Sequence, residues 1–274
     1  MSTTMCLGAQ AASDAGEVLD MAGIFYVMFG WPVVALNAKD QGFGEADFVV
    51  RKRDLSRAIE TLVEAGFKQC QDPSCIELQA NRCPLRDTGD GPCNLSEIAA
   101  ADVLNSYHAV ADAHFHLGFQ YESCTVLSLY TTSDLLYWLE DPESGELPGD
   151  DTFWFSNDPR LPPYEERGPS GPWTELYPVR ILSPVAFSEA LIILMCQNYG
   201  HIDFVDHAWI TMWECVVFKP QPRTLSPRFQ PIWDIFNAEE PDRNPYDVLR
   251  VLRDEMIAKN EFPYLPPVAM DRFA

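Results

Sequence analysis

The chain has 274 residues, 47% of them hydrophobic and 12% aromatic, enough for one large or two small buried cores and too much for disorder as the main state. Its formal net charge of −22, from 19 basic and 41 acidic residues, gives a polyphosphate backbone no sequence-wide reason to approach, so nucleic acid is not an expected partner. No basic-then-apolar segment marks the amino terminus as an export signal, so the eight cysteines are expected to be reduced thiols in a cytoplasmic protein.

Residues 1–20 read as a flexible terminus. Residues 21–38 form an uncharged run whose length approaches a membrane span, but Gly30, Trp31 and Pro32 interrupt it. A buried strand over residues 24–29 and a short helix over 31–37 explain the run without a membrane. A glycine-bearing loop, 39–44, leads into a second strand over 46–50. Asp54 suits a helix N-cap, and Leu55, Ile59, Leu62 and Val63 recur at helical spacing up to Gly66, a stop signal.

Cys70, Cys75, Cys83 and Cys93 follow, with gaps of four, seven and nine residues. No CxxC pair occurs among them, and the expectation is free thiols in a polar loop that ends near Asn94 rather than a zinc site. A short helix over 95–104 leads into the most informative segment, 108–119. There Ala111, Ala113, Phe115, Leu117 and Phe119 share one strand face, while His108, Asp112, His114 and His116 share the other. Residues 125–130 read as its partner strand.

Residues 141–178 are rich in proline, glycine and acidic groups and predict an irregular covering segment. Its aromatic residues, Phe153, Trp154, Phe155, Tyr164, Trp173 and Tyr177, are expected to be core or to wall an apolar pocket. Ser183 and Pro184 start a helix that runs to about Tyr199, and further helices are predicted over 201–217, 226–237 and 245–259, the last capped by Asn244. His201, Asp203, Asp206 and His207 read as ordinary pairing on a helix face. The organisation expected is a flexible 1–20, an α/β core over 21–140, the covering segment 141–178, and a helical region over 179–274.

The segment GWPVVALNAKDQGFGEADFVVRKRDLSRAIETLVEAGF, residues 30–67, resembles the core of the nucleotidyltransferase superfamily: a glycine turn into a short helix, a loop, a strand bearing Asp-x-Asp, and a helix ending in Gly-Phe. LYTTSDLL (129–136), SNDPRLPP (156–163) and LYPVRILSPVAFSEALIILMCQNYG (176–200) are similar to an uncharacterised fungal family of nucleotidyltransferase-like proteins. The resemblance implies an α/β (α+β) fold, a mixed sheet with flanking helices and a mainly helical carboxyl-terminal half. It also implies magnesium held by two carboxylates of one strand and a third on its neighbour. Glu45, Asp47 and Asp112 are the matching positions, with Asp134 behind Asp112. Two departures alter that implication. Trp31, followed by Pro32, stands at the small turn residue beside which a triphosphate would lie, and Glu45 replaces the first Asp.

The fold would set the strand of Asp112, His114 and His116 beside that of Glu45 and Asp47. Carboxylates and imidazoles converging on one face can do acid/base chemistry at neutral pH, or bind a transition metal. The expected function is therefore a cofactor-independent enzyme of fungal secondary metabolism, a cyclase or isomerase using Asp47, Asp112, His114 and His116 on an apolar or aromatic metabolite. The alternatives are a magnesium-dependent nucleotidyltransferase using Glu45, Asp47 and Asp112, and a catalytically inactive binding protein. Serine-nucleophile, P-loop and dinucleotide-binding patterns are absent from the sequence.

Overall fold

The computed structural model describes residues 8–38, 45–75, 77, 110–118, 126–139, 151–198, 205–218 and 223–265. The expectations for residues 39–44, 95–104, Cys83, Cys93, His108, His201 and Asp203 lie outside them. The chain divides into two compact units, residues 1–79 with 110–184, and residues 80–109 with 185–274.

The first unit opens with α1 (Ala9–Met21), β1 (Tyr26–Phe29), α2 (Trp31–Asn37) and β2 (Glu45–Val50). A 3-10 turn (Lys52–Asp54) and α3 (Leu55–Glu64) follow, then β3 (Lys68–Gln69), β4 (Ala113–His116), β5 (Val126–Thr131), α4 (Thr132–Leu135), β6 (Phe153–Phe155) and β7 (Arg180–Leu182). The strands form one seven-stranded sheet in the order β3-β4-β5-β2-β1-β7-β6. It is mixed: β2–β5 and β1–β7 are parallel pairs and the remaining neighbours are antiparallel. The fold is thus of the mixed α/β class expected from the sequence.

Strand alternation divides the sheet into two unlike faces. Tyr26, Met28, Phe48, Val50, Leu127, Leu129 and Phe115 lie on one face, and all are buried. The helical side packs here, with α1 contacting β1, β2 and α3, and Phe67, just past α3, meeting Phe115 edge-on at a ring-centroid distance of 6.5 Å. Gly16 of α1 is required at this packing, because a Cβ there would stand 2.8 Å from Tyr26 Oη.

Three elements differ from the sequence expectation. Residues 9–21 form a helix, not a flexible end: Ala9, Ala11, Ala12, Ala15 and Leu19 are buried, and small side chains give close packing without a strong periodic signal. The covering segment, expected to be irregular, supplies β6, and Phe153, Trp154 and Phe155 form the outermost strand of the sheet. Trp154 there lies under the Arg160 guanidinium, 4.0 Å from its ring centroid. Finally, β5 intervenes between β4 and β2, so the histidine-bearing strand is not the direct neighbour of β2.

Tyr26 donates a hydrogen bond of 3.0 Å to Asp20, which also accepts one of 3.2 Å from Tyr177. Burial first, then the Asp20 carboxylate, pushes the Tyr26 phenol above its ordinary value. The folded chain therefore holds this proton more tightly than the unfolded one. The associated stability is complete below a pH of about 10, where free tyrosine titrates, and is lost as pH rises through the higher folded value. Denaturant unfolding at neutral and alkaline pH is expected to show Tyr26→Phe losing about 1 kcal/mol at neutrality and less than the parent chain on going alkaline.

In the second unit, α5 (Pro184–Asn198), α6 (Val205–Phe218), α7 (Gln230–Asn237) and α8 (Pro245–Ala258) follow in order. Helix α5 is apolar on every side, with Leu191, Ile192, Leu194 and Met195 buried, as befits a core helix. Trp213 anchors this unit, meeting Trp233 and Phe236 edge-on at centroid distances of 5.6 and 5.7 Å. Asn244 caps α8 as expected, its side chain accepting from the Tyr246 N–H at 3.0 Å. Ser226 opens a turn rather than a helix, its carbonyl accepting from Phe229 and Gln230, and α7 begins only at Gln230. Among the described residues no helix is long and apolar enough to cross a membrane, and the 21–38 run resolves into the end of α1, β1 and α2.

Candidate functional site

The second sheet face carries the polar groups. Register sets Asp47 of β2 opposite Ser128 of β5, and Ser128 opposite His114 of β4, so the three lie in one row. One step along, Glu45, Val126 and His116 make a parallel row. Glu45, Asp47, Ser128 and His114 are all buried, at 3%, 2%, 1% and 2% exposure. These are central strand positions, where an apolar side chain would cost nothing to desolvate, whereas a charged group taken from water costs several kcal/mol before any partner offsets it.

Gly30 shapes the Asp47 end of the row. It ends β1 and caps α2 with φ 75° and ψ −144°, a conformation that only glycine adopts readily. A Cβ at Gly30 would stand 2.8 Å from Asp47 Oδ2, so the carboxylate packs directly on the turn backbone. Trp31 then begins α2 and is half-buried.

The three carboxylates named from the sequence do not meet. Asp112 lies two strands and two residues from Asp47, which places their Cα atoms about 12 Å apart by ordinary strand spacings. Its carboxylate accepts from the Thr131 N–H at 2.9 Å, at the far end of β5. Burial and the nearby Asp134 carboxylate push the Asp112 carboxyl above its ordinary value, while the Thr131 bond opposes them. Asp134 is itself engaged, accepting from Thr131 Oγ1 at 2.6 Å. On β5, the direct neighbour of β2, the residues opposite Glu45 and Asp47 are Val126 and Ser128, neither of which can supply a third carboxylate.

At the other end of the rows, the histidines meet cysteines expected to sit in a loop as plain thiols. Strand β3 pairs with β4, Lys68 opposite His116, and the ladder continues as the Cys70 N–H donates to the His114 carbonyl at 3.0 Å. Cys70 therefore shares the face of His114 and His116. Asp72 and Pro73 then turn the chain: the Cys75 N–H donates to the Asp72 carbonyl at 3.1 Å, and Asp72 Oδ1 accepts from both the N–H and hydroxyl of Ser74. That turn brings Cys75 Sγ to 3.5 Å from His116 Nε2. One ligand atom from each of Cys70, Cys75, His114 and His116 lies within 4.8 Å of the others. These are the described residues best able to hold a metal. The signal available in the sequence was the Cys-x4-Cys spacing around an Asp-Pro turn together with His-x-His on a strand.

His116 also borders an open cleft of about 390 Å3, lined with Ala65, Gly66, Phe67, Lys68, Leu117 and Gly118. Asp206 and His207 belong to α6. No protein-family model matches the chain, and neither a curated protein nor a solved structure matches it.

Proposed function

We propose that the protein is an enzyme acting on a small organic metabolite by proton transfer, in a cyclisation or isomerisation, with Asp47 as the principal base and Glu45 beside it. The observation carrying this reading is the burial of both carboxylates on one face of a central strand, in line with Ser128 and against the glycine turn. A carboxylate pair can divide the roles of proton donor and acceptor. Side chains of this kind at core positions oppose stability, and sequences keep them where a reaction needs them. Of the other groups expected to share catalysis, Asp112 is tied to Thr131, and the imidazoles of His114 and His116 lie next to the thiols of Cys70 and Cys75. The assignment therefore rests on β2.

The order β1, Gly30 turn, α2, β2 supports descent of this unit from a nucleotidyltransferase-like fold. Val126 and Ser128 on the neighbouring strand speak against a three-carboxylate magnesium site. Calorimetry separates the two chemistries. Titration with nucleoside triphosphate and magnesium is expected to release no heat of binding, while native mass spectrometry after incubation with a metabolite extract of the source organism is expected to show a retained small molecule. Magnesium-dependent nucleotide binding that disappears in Asp47→Asn would instead assign nucleotidyl transfer.

A further inference from the structure

We propose that Cys70, Cys75, His114 and His116 hold a single zinc ion at the β3–β4 edge of the sheet. Their ligand atoms already lie within 4.8 Å of one another. A tetrahedral zinc with two thiolates at about 2.3 Å and two imidazole nitrogens at about 2.05 Å sets neighbouring ligand atoms about 3.3–3.8 Å apart. The 3.5 Å from Cys75 Sγ to His116 Nε2 matches such an edge. The further closure required is on the order of 1 Å, which side-chain torsions supply without moving the backbone.

The donor set selects the metal. Two thiolates with two imidazoles suit tetrahedral zinc, whereas magnesium and calcium require oxygen ligands. Protein fills all four positions, so the site is closed and its role is to organise the fold rather than to activate water. The local architecture gives that role a purpose. Strand β3 has two residues and lies at the edge of the sheet, too short to hold its place by its ladder alone. An ion bound by the 70–75 segment on one side and by β4 on the other staples the edge strand and its turn to the sheet. Each half of the ligand set is preformed, Cys70 and Cys75 by the Asp72–Ser74 turn, His114 and His116 by strand alternation. Little chain entropy is then lost on binding. His116 is exposed, which gives the ion a path from solvent.

A rival use of the same atoms is a thiol–imidazole dyad, with Cys75 as nucleophile and His116 as base. It employs two of the four side chains and leaves the convergence of Cys70 and His114 without a cause. The zinc reading is independent of the carboxylate assignment, because metal content is measured without turnover. The two fit together, since an imidazole bound to zinc through one nitrogen and carrying a proton on the other has no lone pair left to accept one.

The test uses the full chain, purified under reducing conditions and supplied with zinc or, as a spectroscopic stand-in, cobalt. One equivalent of zinc is expected, with a cobalt spectrum of tetrahedral, thiolate-containing type, and with Cys70 and Cys75 both shielded from alkylation until a chelator is added. His116→Ala removes an exposed ligand and should leave the circular dichroism unchanged, while Cys70→Ser combined with Cys75→Ser removes both thiolates. Each is expected to weaken zinc binding by more than the roughly 10- to 100-fold typical of losing an outer-shell partner. Folded parent chain that takes up no stoichiometric zinc or cobalt would overturn the proposal, as would undiminished binding in both variants. Rapid alkylation of Cys75 alone in the presence of zinc would overturn it in favour of the dyad.

Discussion

Asp47→Asn is expected to lower turnover by on the order of a hundredfold or more, the usual contribution of a positioned general base. Asparagine keeps the size and much of the hydrogen-bonding shape of aspartate but cannot take up a proton. With 2% of Asp47 exposed, the shape matters, and a larger or apolar replacement would confuse loss of chemistry with loss of packing. The expected signature is therefore unchanged circular dichroism and unfolding midpoint, retained ligand binding, and a fall in kcat. Glu45→Gln, one row along the same face, should produce a fall of the same kind. A structural role for the pair would show the reverse pattern, with stability lost and turnover per folded molecule preserved.

Gly30→Ala is expected to destabilise the chain by about 2–4 kcal/mol. Backbone of this type costs a non-glycine residue roughly 1–3 kcal/mol. The added Cβ would further meet Asp47 Oδ2 at 2.8 Å, closer than such contacts occur, so the carboxylate must move. Stability and turnover should then fall together, in contrast to Asp47→Asn, which should lower turnover alone. Denaturant melts and single-turnover rates on the two variants distinguish a strained support from a reacting group. Equal stability of Gly30→Ala and the parent chain would show that the turn relaxes and that the carboxylate does not depend on it.

The central unit was legible because its signals are local. An apolar run broken at Gly30 and helical spacing up to Gly66 mark β1, α2, β2 and α3 to within a residue or two, although Asp54 precedes α3 without a side-chain capping bond and pairs instead with Arg57 at 3.3 Å. The place of Asp47 on β2 was likewise legible, since that strand follows the turn in sequence. Alternation correctly set His114 and His116 on one face, which the β4–β5 register bears out. Their neighbour was misjudged, because strand order is a long-range property: β5 follows β4 in the chain yet inserts between it and β2. That insertion separates Asp112 from Asp47. Helix α1 gave little signal because its buried face is mostly alanine and glycine, with Leu19 its one large apolar side chain, and β3, β6 and β7 because strands of two or three residues are too short for alternation to register. The Cys and His cluster was hidden for a similar reason. Its two halves lie about forty residues apart and meet only through β3–β4 pairing, a contact that neither segment announces.

The most direct measurement of the central claim is solvent isotope incorporation. The parent chain would convert its metabolite in deuterated water, the product would be returned to ordinary water, and its mass recorded beside that of the Asp47→Asn reaction. Proton transfer by the β2 carboxylates predicts a product carrying solvent deuterium on carbon, formed at a rate that collapses in the variant. Product formed at an undiminished rate by Asp47→Asn would contradict it.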